Sequence, residues 1–371
     1  MTRGPSSRRA GVALPAAVFV LVIVVLFVAG SAFAATQEAR ASVGSLAERL
    51  ALEAAEYGAA AVLRDWDRSW NVATPVGQTL GPFTHALVGA SSEVRITRTT
   101  PTVWWVVSVG MAGGSLVRRT ARRTVNAVLR LELPPGASDA ALGVADSARV
   151  TGSGLVIGAD SVESRPACGV AATLTAGVAA PDTTRICDGT CGVAGAGISG
   201  VPPLIEDSTV TSRVISVTAV LTPDIVLPAG AIVTPSPVVN GGVCDTTATN
   251  NWGDPNAGAC RHHLPVIKSL GDLTVRGGTG QGIIIADGDV VFENAARFAG
   301  LVIAADDFRT GAGGGEVLGA VLANDIRRGT GDHTLVANGG LVRRSSCRVR
   351  QARLAAATPL RVRQRWWAEF D

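Results

Sequence analysis

Residues 12–28 read VALPAAVFVLVIVVLFV and decide the fold of the N-terminal part of the chain. No charged residue occurs between Ala10 and Gln37. At about 1.5 Å of rise per residue, a helix over this run crosses a hydrocarbon core of roughly 30 Å. The sequence therefore predicts a transmembrane helix, and we place its membrane segment at residues 12–35.

Three arginines, Arg3, Arg8 and Arg9, precede this segment. By the positive-inside rule, the N-terminus stays in the cytoplasm and everything after about residue 36 is exported. Residues 37–68 contain no proline and are rich in good helix formers, so we expect one continuous helix over residues 12–68. Three- and four-residue spacing predicts that its exported half has one apolar face. That face is formed by Leu46, Leu50, Ala54, Tyr57 and Ala61.

Residues 8–15, RRAGVALP, resemble the start of PilX-type minor pilins and of K-type general-secretion pseudopilins. In those families a short basic leader ends in glycine, and prepilin peptidase cuts after it. The resemblance implies a leader over residues 1–11, with Gly11 as its last residue and Val12 as the new N-terminus. Most pilins have glutamate at the fifth mature position, which here is Ala16. K-type pseudopilins also lack this glutamate and occupy filament tips, so the resemblance favours a tip or initiating role.

A second resemblance covers residues 250–371. The stretches NWGDP at residues 251–255 and GDLTV at residues 271–275 are similar to the C-terminal region of PilX-type pilus-assembly proteins. The resemblance implies a type IV pilus or type II secretion-like filament. Its implied partners are prepilin peptidase, the inner-membrane lipid, and other pilin subunits that bind through the N-terminal helix. The expected location is the inner membrane with an exported C-terminal part, and then a cell-surface filament.

The N-terminus leaves other interpretations open. Residues 32–34 form an A-x-A pattern, so residues 1–34 are also compatible with a secretory signal peptide that is cleaved after Ala34. A plain single-pass anchor is a further alternative. The apolar run is longer than an ordinary signal peptide needs, and amphipathic helix follows it directly, which favours the pilin-like anchor.

The composition excludes two broad classes of protein. The chain has 371 residues, a net charge of +3 and 47% hydrophobic residues, which is too apolar for a disordered chain. A dedicated nucleic-acid binder needs a concentrated basic face, so we expect no nucleic-acid partner. No cofactor-binding motif is present, because the glycine-rich residues 311–315 lack the lysine and helix of a phosphate-binding loop.

The chain has six cysteines, and all of them follow the apolar segment. An even number on the exported side predicts disulfides in an oxidising compartment. We favour a bridge between Cys244 and Cys260, which would close a loop rich in Thr and Asn. Cys187 is expected to pair with Cys191 or Cys168, and Cys347 with the remaining partner.

The exported part begins with a region of predicted strands. Residues 93–98, 103–109 and 117–133 have strand-like patterns, and Pro134-Pro135-Gly136 ends the block. We expect residues 71–133 to form a small β-sheet head that packs on the helix.

An internal repeat follows. Gly154, Gly282, Gly300 and Gly319 each begin a five-residue segment of glycine, three apolar residues and a small residue. The last three copies start 18 and 19 residues apart, which suits one coil of a parallel β-helix. The predicted fold is therefore mainly β with one long N-terminal α-helix. A β-solenoid is expected over residues 138–371, with a disulfide-rich insertion at residues 165–268. A sandwich of antiparallel hairpins is the alternative.

Within the insertion, residues 209–220 and 225–233 are predicted strands. At the C-terminus, residues 361–370 alternate charged and apolar side chains. They predict either a docking surface for a neighbouring subunit or a closing strand whose Trp366 and Trp367 cap the solenoid.

Three groups of residues have both a chemical and a structural interpretation: a zinc site, a calcium-binding ladder and a glycan-cleaving site. The cysteines together with His262 and His263 contain zinc-ligand types, but only one closely spaced cysteine pair exists, so we predict disulfides and no metal. An aspartate follows each repeat copy, and these residues suit either a calcium-binding ladder or turns, of which we favour turns. They are Asp160, Asp287, Asp306 and Asp325.

Parallel β-helices also host enzymes that cleave polysaccharides, and that chemistry needs two carboxylates across a cleft. The clustered candidates are Asp287, Asp289, Asp306 and Asp307, and they fall at predicted turns. We therefore predict that the chain is not an enzyme and assign no catalytic residue. The rival functions are a β-helical surface adhesin and a carbohydrate-active β-helix enzyme.

Overall fold

The computed structural model describes residues 13–114, 117–136, 139–161, 175–324 and 333–361. The described chain is mainly β, with one long apolar helix at its N-terminus and extensive parallel sheet, as the sequence predicts. The helices are α1 (Ala13–Arg64), α2 (Trp70–Ala73), α3 (Val210–Val220) and α4 (Ser346–Ala356).

Helix α3 corrects a sequence-based prediction, because residues 209–220 were expected to form a strand. The segment is rich in β-branched residues, which favour strands. However, Val210, Val214 and Val217 lie on one helical face, and that face is buried against a parallel sheet. Tertiary packing of this stripe outweighs the local strand propensity.

An antiparallel sheet, called here the head sheet, packs on the second half of α1. It has five strands in the order β1-β2-β3-β4-β26. Their bounds are β1 (Thr79–Leu87), β2 (Ala90–Thr100), β3 (Val103–Gly114), β4 (Val117–Glu132) and β26 (Thr358–Arg361). The first four strands follow one another in the chain, whereas β26 joins from the C-terminal end. Trp366 and Trp367 lie outside the described residues.

The remaining strands belong mainly to two large sheets. An eleven-stranded parallel sheet contains β5 (Ala140–Val144), β7 (Leu155–Ile157), β8 (Ala176–Ala180), β11 (Ile198–Ser199), β12 (Leu204–Glu206), β13 (Ile225–Leu227), β17 (Val266–Ser269), β19 (Thr279–Ala286), β21 (Ala296–Ala304), β23 (Gly315–Ala323) and β25 (Leu341–Arg344). An eight-stranded sheet contains β6 (Ala148–Val150), β9 (Ile186–Asp188), β10 (Thr190–Cys191), β14 (Ala231–Val233), β18 (Leu273–Arg276), β20 (Val290–Glu293), β22 (Phe308–Thr310) and β24 (Thr334–Val336). A separate hairpin consists of β15 (Val239–Asn240) and β16 (Val243–Cys244).

Three copies of the sequence repeat stack in register. Gly282 pairs with Gly300, and Gly300 pairs with Gly319. The alanines that end these copies pair in the same way. The copy that begins at Gly154 contributes β7, which pairs with β25 instead. The repeat therefore corresponds to adjacent parallel strands, as predicted.

The apolar character of these strands follows from burial on both faces. In β19, Ile284 faces the core between the two large sheets, whereas Ile283 and Ile285 face α3 and α4. A strand covered on both sides needs no polar alternation. In the eight-stranded sheet, by contrast, β18 and β20 alternate buried and more exposed residues, because their outer face meets solvent.

The segment predicted as an insertion, residues 165–268, is only partly outside the large sheets. Its strands β8, β9, β13 and β14 pair with other strands of the two sheets. The strand predicted over residues 225–233 is present as two strands, β13 and β14, which a turn separates. Strands β8 and β9 lack the glycine-to-alanine repeat, which is why the sequence pattern did not reveal them. Residues 234–265, which carry the β15–β16 hairpin, form the looped part.

Glycines at the start of the repeats allow adjacent strands to approach closely. Gly300 has φ +145°, and a Cβ atom there would overlap the Gly282 carbonyl oxygen. We expect Gly300→Ala to lower the free energy of unfolding by about 3 kcal/mol, through backbone strain and overlap together. Thermal or denaturant unfolding measures the change.

Gly230→Ala is the matched control. Gly230 also has positive φ, +73°, but nothing lies within 4 Å of its Cβ position. Its cost should be only the conformational part, about 1 kcal/mol. Equal costs at Gly230 and Gly300 would contradict the close approach of the strands.

Candidate functional site

The first half of α1 projects from the rest of the described chain. Almost every residue from Leu14 to Ser42 is exposed, and α1 is long and apolar enough to cross a membrane. Its exposed large apolar residues before the head are Leu14, Val18, Phe19, Val20, Leu21, Val22, Val24, Val25, Leu26, Phe27, Val28 and Phe33. A rod of this composition needs lipid or protein around it.

The second half of α1 packs on the head sheet through small residues. The fully buried positions are Ala51, Ala54 and Ala55, with Ala47 and Ala61 nearly so. The predicted apolar face is therefore partly wrong. Ala54 and Ala61 are buried as expected, but Leu46 and Tyr57 are 49% and 43% exposed.

The close approach of α1 to the head sheet explains why the packed face of the helix consists of alanines. Gly110 on β3 lies directly under the helix, where a Cβ atom would overlap the Ala51 carbonyl oxygen and lie 2.6 Å from the Ala55 amide nitrogen. Gly58 on the helix is equally close to the Ser92 side chain of β2. Larger side chains on this face would separate the two backbones, so leucine and tyrosine point elsewhere.

The packing of the second half of α1 on the head sheet is called here the seat. Polar and aromatic contacts hold both of its ends. Near the exposed half of the helix, Glu48 of α1 forms an ion pair with Arg123 of β4 at 2.9 Å. At the other end, the Trp66 ring packs edge-on against Trp104 and Trp70 at centroid distances of 5.3 and 5.2 Å. The helix is therefore held along its length and cannot rotate freely on the sheet.

The head is also tied to the parallel-sheet body. Arg68 donates to the Ala355 carbonyl at 3.2 Å and to the Asp224 carboxylate at 2.8 Å. Buried Asn71 donates from Nδ2 to the carbonyl oxygens of Leu354 and Ala357, at 3.0 and 2.9 Å. These bonds join the turn after α1, and α2, to α4 and so connect the rod to the body.

Disulfides fix the loops of the body. Cys244 and Cys260 are bonded, which confirms the predicted bridge, and Cys187 is bonded to Cys191, one of its two predicted partners. Cys347 is also disulfide-bonded. Cys168 lies outside the described residues.

Among the described residues, the cysteines and histidines of zinc-ligand type do not come together as a ligand set. The four sulfurs of the two described disulfides carry no thiolate, so they are not zinc ligands. His263 lies 3.1 Å from the Asn251 carbonyl oxygen through Nε2. Burial lowers the pKa of both His262 and His263, which favours their neutral forms.

Among the described residues, Asp289, Asp306 and Asp307 form one acidic cluster with metal-ligand spacing. Arg309 lies within this cluster, 2.9 Å from Asp307 and 3.7 Å from Asp289. The carboxylates also accept hydrogen bonds from the backbone of neighbouring turns, since the Asp307 amide donates to Asp289 at 3.2 Å. Asp289 in turn donates from its amide to Asp272 at 3.0 Å. These contacts match the expected turn role.

The other predicted aspartates lie apart from this cluster. Asp287 lies 3.3 Å from Lys268, and Asp160 accepts from the Ser346 amide at 2.8 Å where α4 begins. Asp325 lies outside the described residues. Asp306 and Asp307 are almost completely buried, at 2% and 0% exposure, so a polysaccharide does not reach them in this conformation.

A shallow groove of about 610 Å³ lies at the hairpin ends of the head sheet. Its lining includes Leu87, Met111, Thr120 and Arg122. It has apolar and basic surface but brings together no acid–base pair. The described residues therefore form an exposed apolar helix, a head sheet on which the second half of that helix packs, and a body built from two large sheets.

The seat can be tested at Gly110. We expect Gly110→Val to force α1 away from β3 and to lower the free energy of unfolding by about 3 kcal/mol. Amide hydrogen exchange of residues 47–62 should accelerate at the same time. Gly113→Ala on the same strand is the control, because its Cβ would meet only the Thr120 side chain at 3.2 Å. An unchanged exchange rate in Gly110→Val would contradict the close packing.

The contribution of the Cys244–Cys260 loop to protein stability should depend on pH, because Asp245 lies in this loop. Hydrogen bonds from the Thr247 hydroxyl and amide, at 2.6 and 2.9 Å, hold the pKa of Asp245 below its usual value. A depressed folded-state pKa adds stability above the unfolded pKa of about 3.9, and that stability is lost as pH falls through the folded pKa. The difference in Tm between wild type and Asp245→Asn should therefore be present at pH 5 and shrink toward pH 2.

Thr247→Val removes the hydroxyl donor and keeps the amide, so its Tm should fall at pH 5 and approach that of the wild type in acid. A difference between wild type and Asp245→Asn that is constant from pH 5 to pH 2 would contradict this assignment.

Neither protein-family models nor curated proteins nor solved structures match this chain. Its function is therefore inferred from the exposed rod, the seat on the head sheet and the body behind them.

Proposed function

We propose that this chain is a minor pilin or pseudopilin subunit of a type IV pilus or type II secretion-like filament. The observation that carries the proposal is the division of α1. One half is an exposed apolar rod, and the other half is held against an antiparallel sheet by backbone-close packing. This division suits a subunit whose exposed helix lies in the membrane before the filament assembles and packs among the helices of other subunits afterwards.

The direction of insertion follows from charge. Arg3, Arg8 and Arg9 precede the rod, so the head and body are exported. The paired cysteines of the body support export, since disulfides persist in oxidising compartments. In this proposal, prepilin peptidase removes residues 1–11 and leaves Val12 at the N-terminus.

The partners in the filament are the rods of other pilin subunits. In the membrane, lipid covers the apolar surface of α1, and in the filament the helices of neighbours replace it. Ala16 stands where most pilins carry a glutamate that pairs with a neighbour's amine. A subunit without this carboxylate cannot pair in this way with the N-terminal amine of the next subunit toward the tip. Its absence supports a role at the tip or in priming assembly.

The body is proposed to be a short β-solenoid that faces outward. Successive strands from β17 to β25 alternate between the two large sheets, and the paired repeats stack in parallel. Helix α3 leads the chain from β12 to β13, at the far edge of the eleven-stranded sheet. A rigid body of this kind suits presentation of a surface at the end of a filament.

Two rival functions predict different behaviour. A secreted β-helical adhesin would lose the rod by signal-peptide cleavage after Ala34. An anchored carbohydrate-active enzyme would degrade glycans and lose that activity in Asp287 and Asp306 variants. The burial of Asp306 disfavours the enzyme.

The sequence of the mature N-terminus tests the proposal. We expect Edman degradation or mass spectrometry of the membrane-extracted protein to begin at Val12, with residues 12–35 retained. Gly11→Val should abolish cleavage, because the small leader residue is the one that the peptidase accepts, whereas Ala10→Val should still be processed. An N-terminus at Ala35, or normal processing of Gly11→Val, would contradict the proposal.

A further inference from the structure

The central strand of the head sheet leads toward the exposed half of α1. At one end of the seat, Trp104 of β3 packs on Trp66 of α1. Six residues further along β3, Gly110 lies against Ala51. β3 therefore advances by about 20 Å while the helix goes back by about 22 Å, so strand and helix run antiparallel to each other. The far end of β3 is the end nearest to the rod.

This end of the sheet lies close to the predicted membrane segment. β3 continues from Gly110 to Gly114, about 13 Å, which brings its end level with about residue 42 of α1. The burial of the helix agrees, since Ala47 is buried and Ser42 is exposed. Seven helical residues, about 10 Å, then separate the end of the sheet from Ala35. Lipid headgroups extend roughly 5–7 Å beyond the hydrocarbon core on each side, so the end of the sheet lies within about one arginine side chain of them.

An exposed apolar side chain lies at the same end. Val88 occupies the turn between β1 and β2 and is 85% exposed, more than any other large apolar residue that the structure describes. The turn is level with the end of β3, because the Gly113 amide donates to the Gly89 carbonyl at 3.3 Å. A single exposed valine needs no explanation by itself. Next to a rod that requires lipid, it provides an apolar group at the height of the membrane surface.

The charge at this end of the sheet is basic. The first seven residues of β4, 117–123, read VRRTARR, and four of them are arginines. Arg123 forms an ion pair with Glu48 of α1, whereas its neighbour Arg122 is exposed on the face away from the helix. Arg122 lies opposite Met111 of β3, which is 44% exposed. Anionic headgroups attract arginines that lie within a Debye length of the membrane surface.

We propose that the turn around Val88 and the neighbouring Arg122 form a membrane-contact surface, which rests on anionic phospholipid headgroups on the exported side of the membrane. Arg122 binds lipid phosphate, and Val88 enters the apolar boundary below the headgroups. This inference rests on the anchored rod of the proposed function. The surface gives the head a second attachment to the membrane and so fixes its orientation before assembly. Entry of the subunit into a filament breaks this contact.

Fluorescence quenching of the full-length protein in vesicles tests the membrane-contact surface. Val88→Cys carries a fluorophore, and none of the described native cysteines is free to react with it. The vesicles consist of phosphatidylcholine and phosphatidylglycerol, with a lipid spin label near the headgroup as the quencher. We expect the label at position 88 to be quenched. Thr100→Cys is the matched control and should stay unquenched, because it lies at the opposite end of β2, about 34 Å from residue 90 along the strand.

Arg122→Gln tests the contribution of charge. Loss of one arginine near an anionic surface should weaken the contact about fivefold, and quenching at position 88 should fall accordingly. Arg130→Gln removes the same charge from the same strand and face, eight residues further from the membrane, and should leave the quenching unchanged. Vesicles of phosphatidylcholine alone should reduce the quenching of the wild-type Arg122 protein as well.

Flotation of the vesicles in a density gradient measures the anchored rod separately. In protein that floats, an unquenched label at position 88, or equal quenching at position 100, would overturn the membrane-contact surface and leave the proposed function intact. Equal effects of Arg122→Gln and Arg130→Gln would overturn it too, because the contact would then not involve Arg122. Protein that does not float would overturn both the anchored rod and the surface that rests on it.

Discussion

The first half of α1 exposes an apolar surface that must be shielded from water. Twelve large apolar side chains between Leu14 and Phe33 are about half exposed or more. Burial of one such side chain contributes about 1.5–3 kcal/mol, so the set represents on the order of 20 kcal/mol. A whole domain is typically stable by only about 5–15 kcal/mol. Lipid or neighbouring helices must therefore cover the rod.

The exposed half of α1 is connected firmly to the rest of the described chain. The backbone contact between Gly110 and Ala51 provides this connection, because small residues let the helix and sheet pack without flexible side chains between them. Asn71 and Arg68 extend the connection to α4, whose outer neighbours are the stacked strands of the body. Hydrogen bonds and close packing thus connect the body to the rod.

The sequence predicted the features that depend on local pattern. The uncharged run gave α1, the glycine repeats gave the paired strands β19, β21 and β23, and the loop composition indicated the Cys244–Cys260 bridge. Features that depend on tertiary packing were missed. The strand predicted over residues 209–220 is α3, because its valine stripe packs on a sheet that cannot be seen in local sequence. The packed face of α1 uses alanine and leaves Leu46 exposed, because the partner strand carries Gly110.

Protease protection combined with alkaline extraction measures where the rod and the body lie in the cell. In spheroplasts, an added protease should degrade the head and body of the protein, while a fragment that contains residues 12–35 stays in the membrane pellet after a carbonate wash. A body protected from the protease, or a full-length protein released by the wash, would contradict an anchored rod with an exported body.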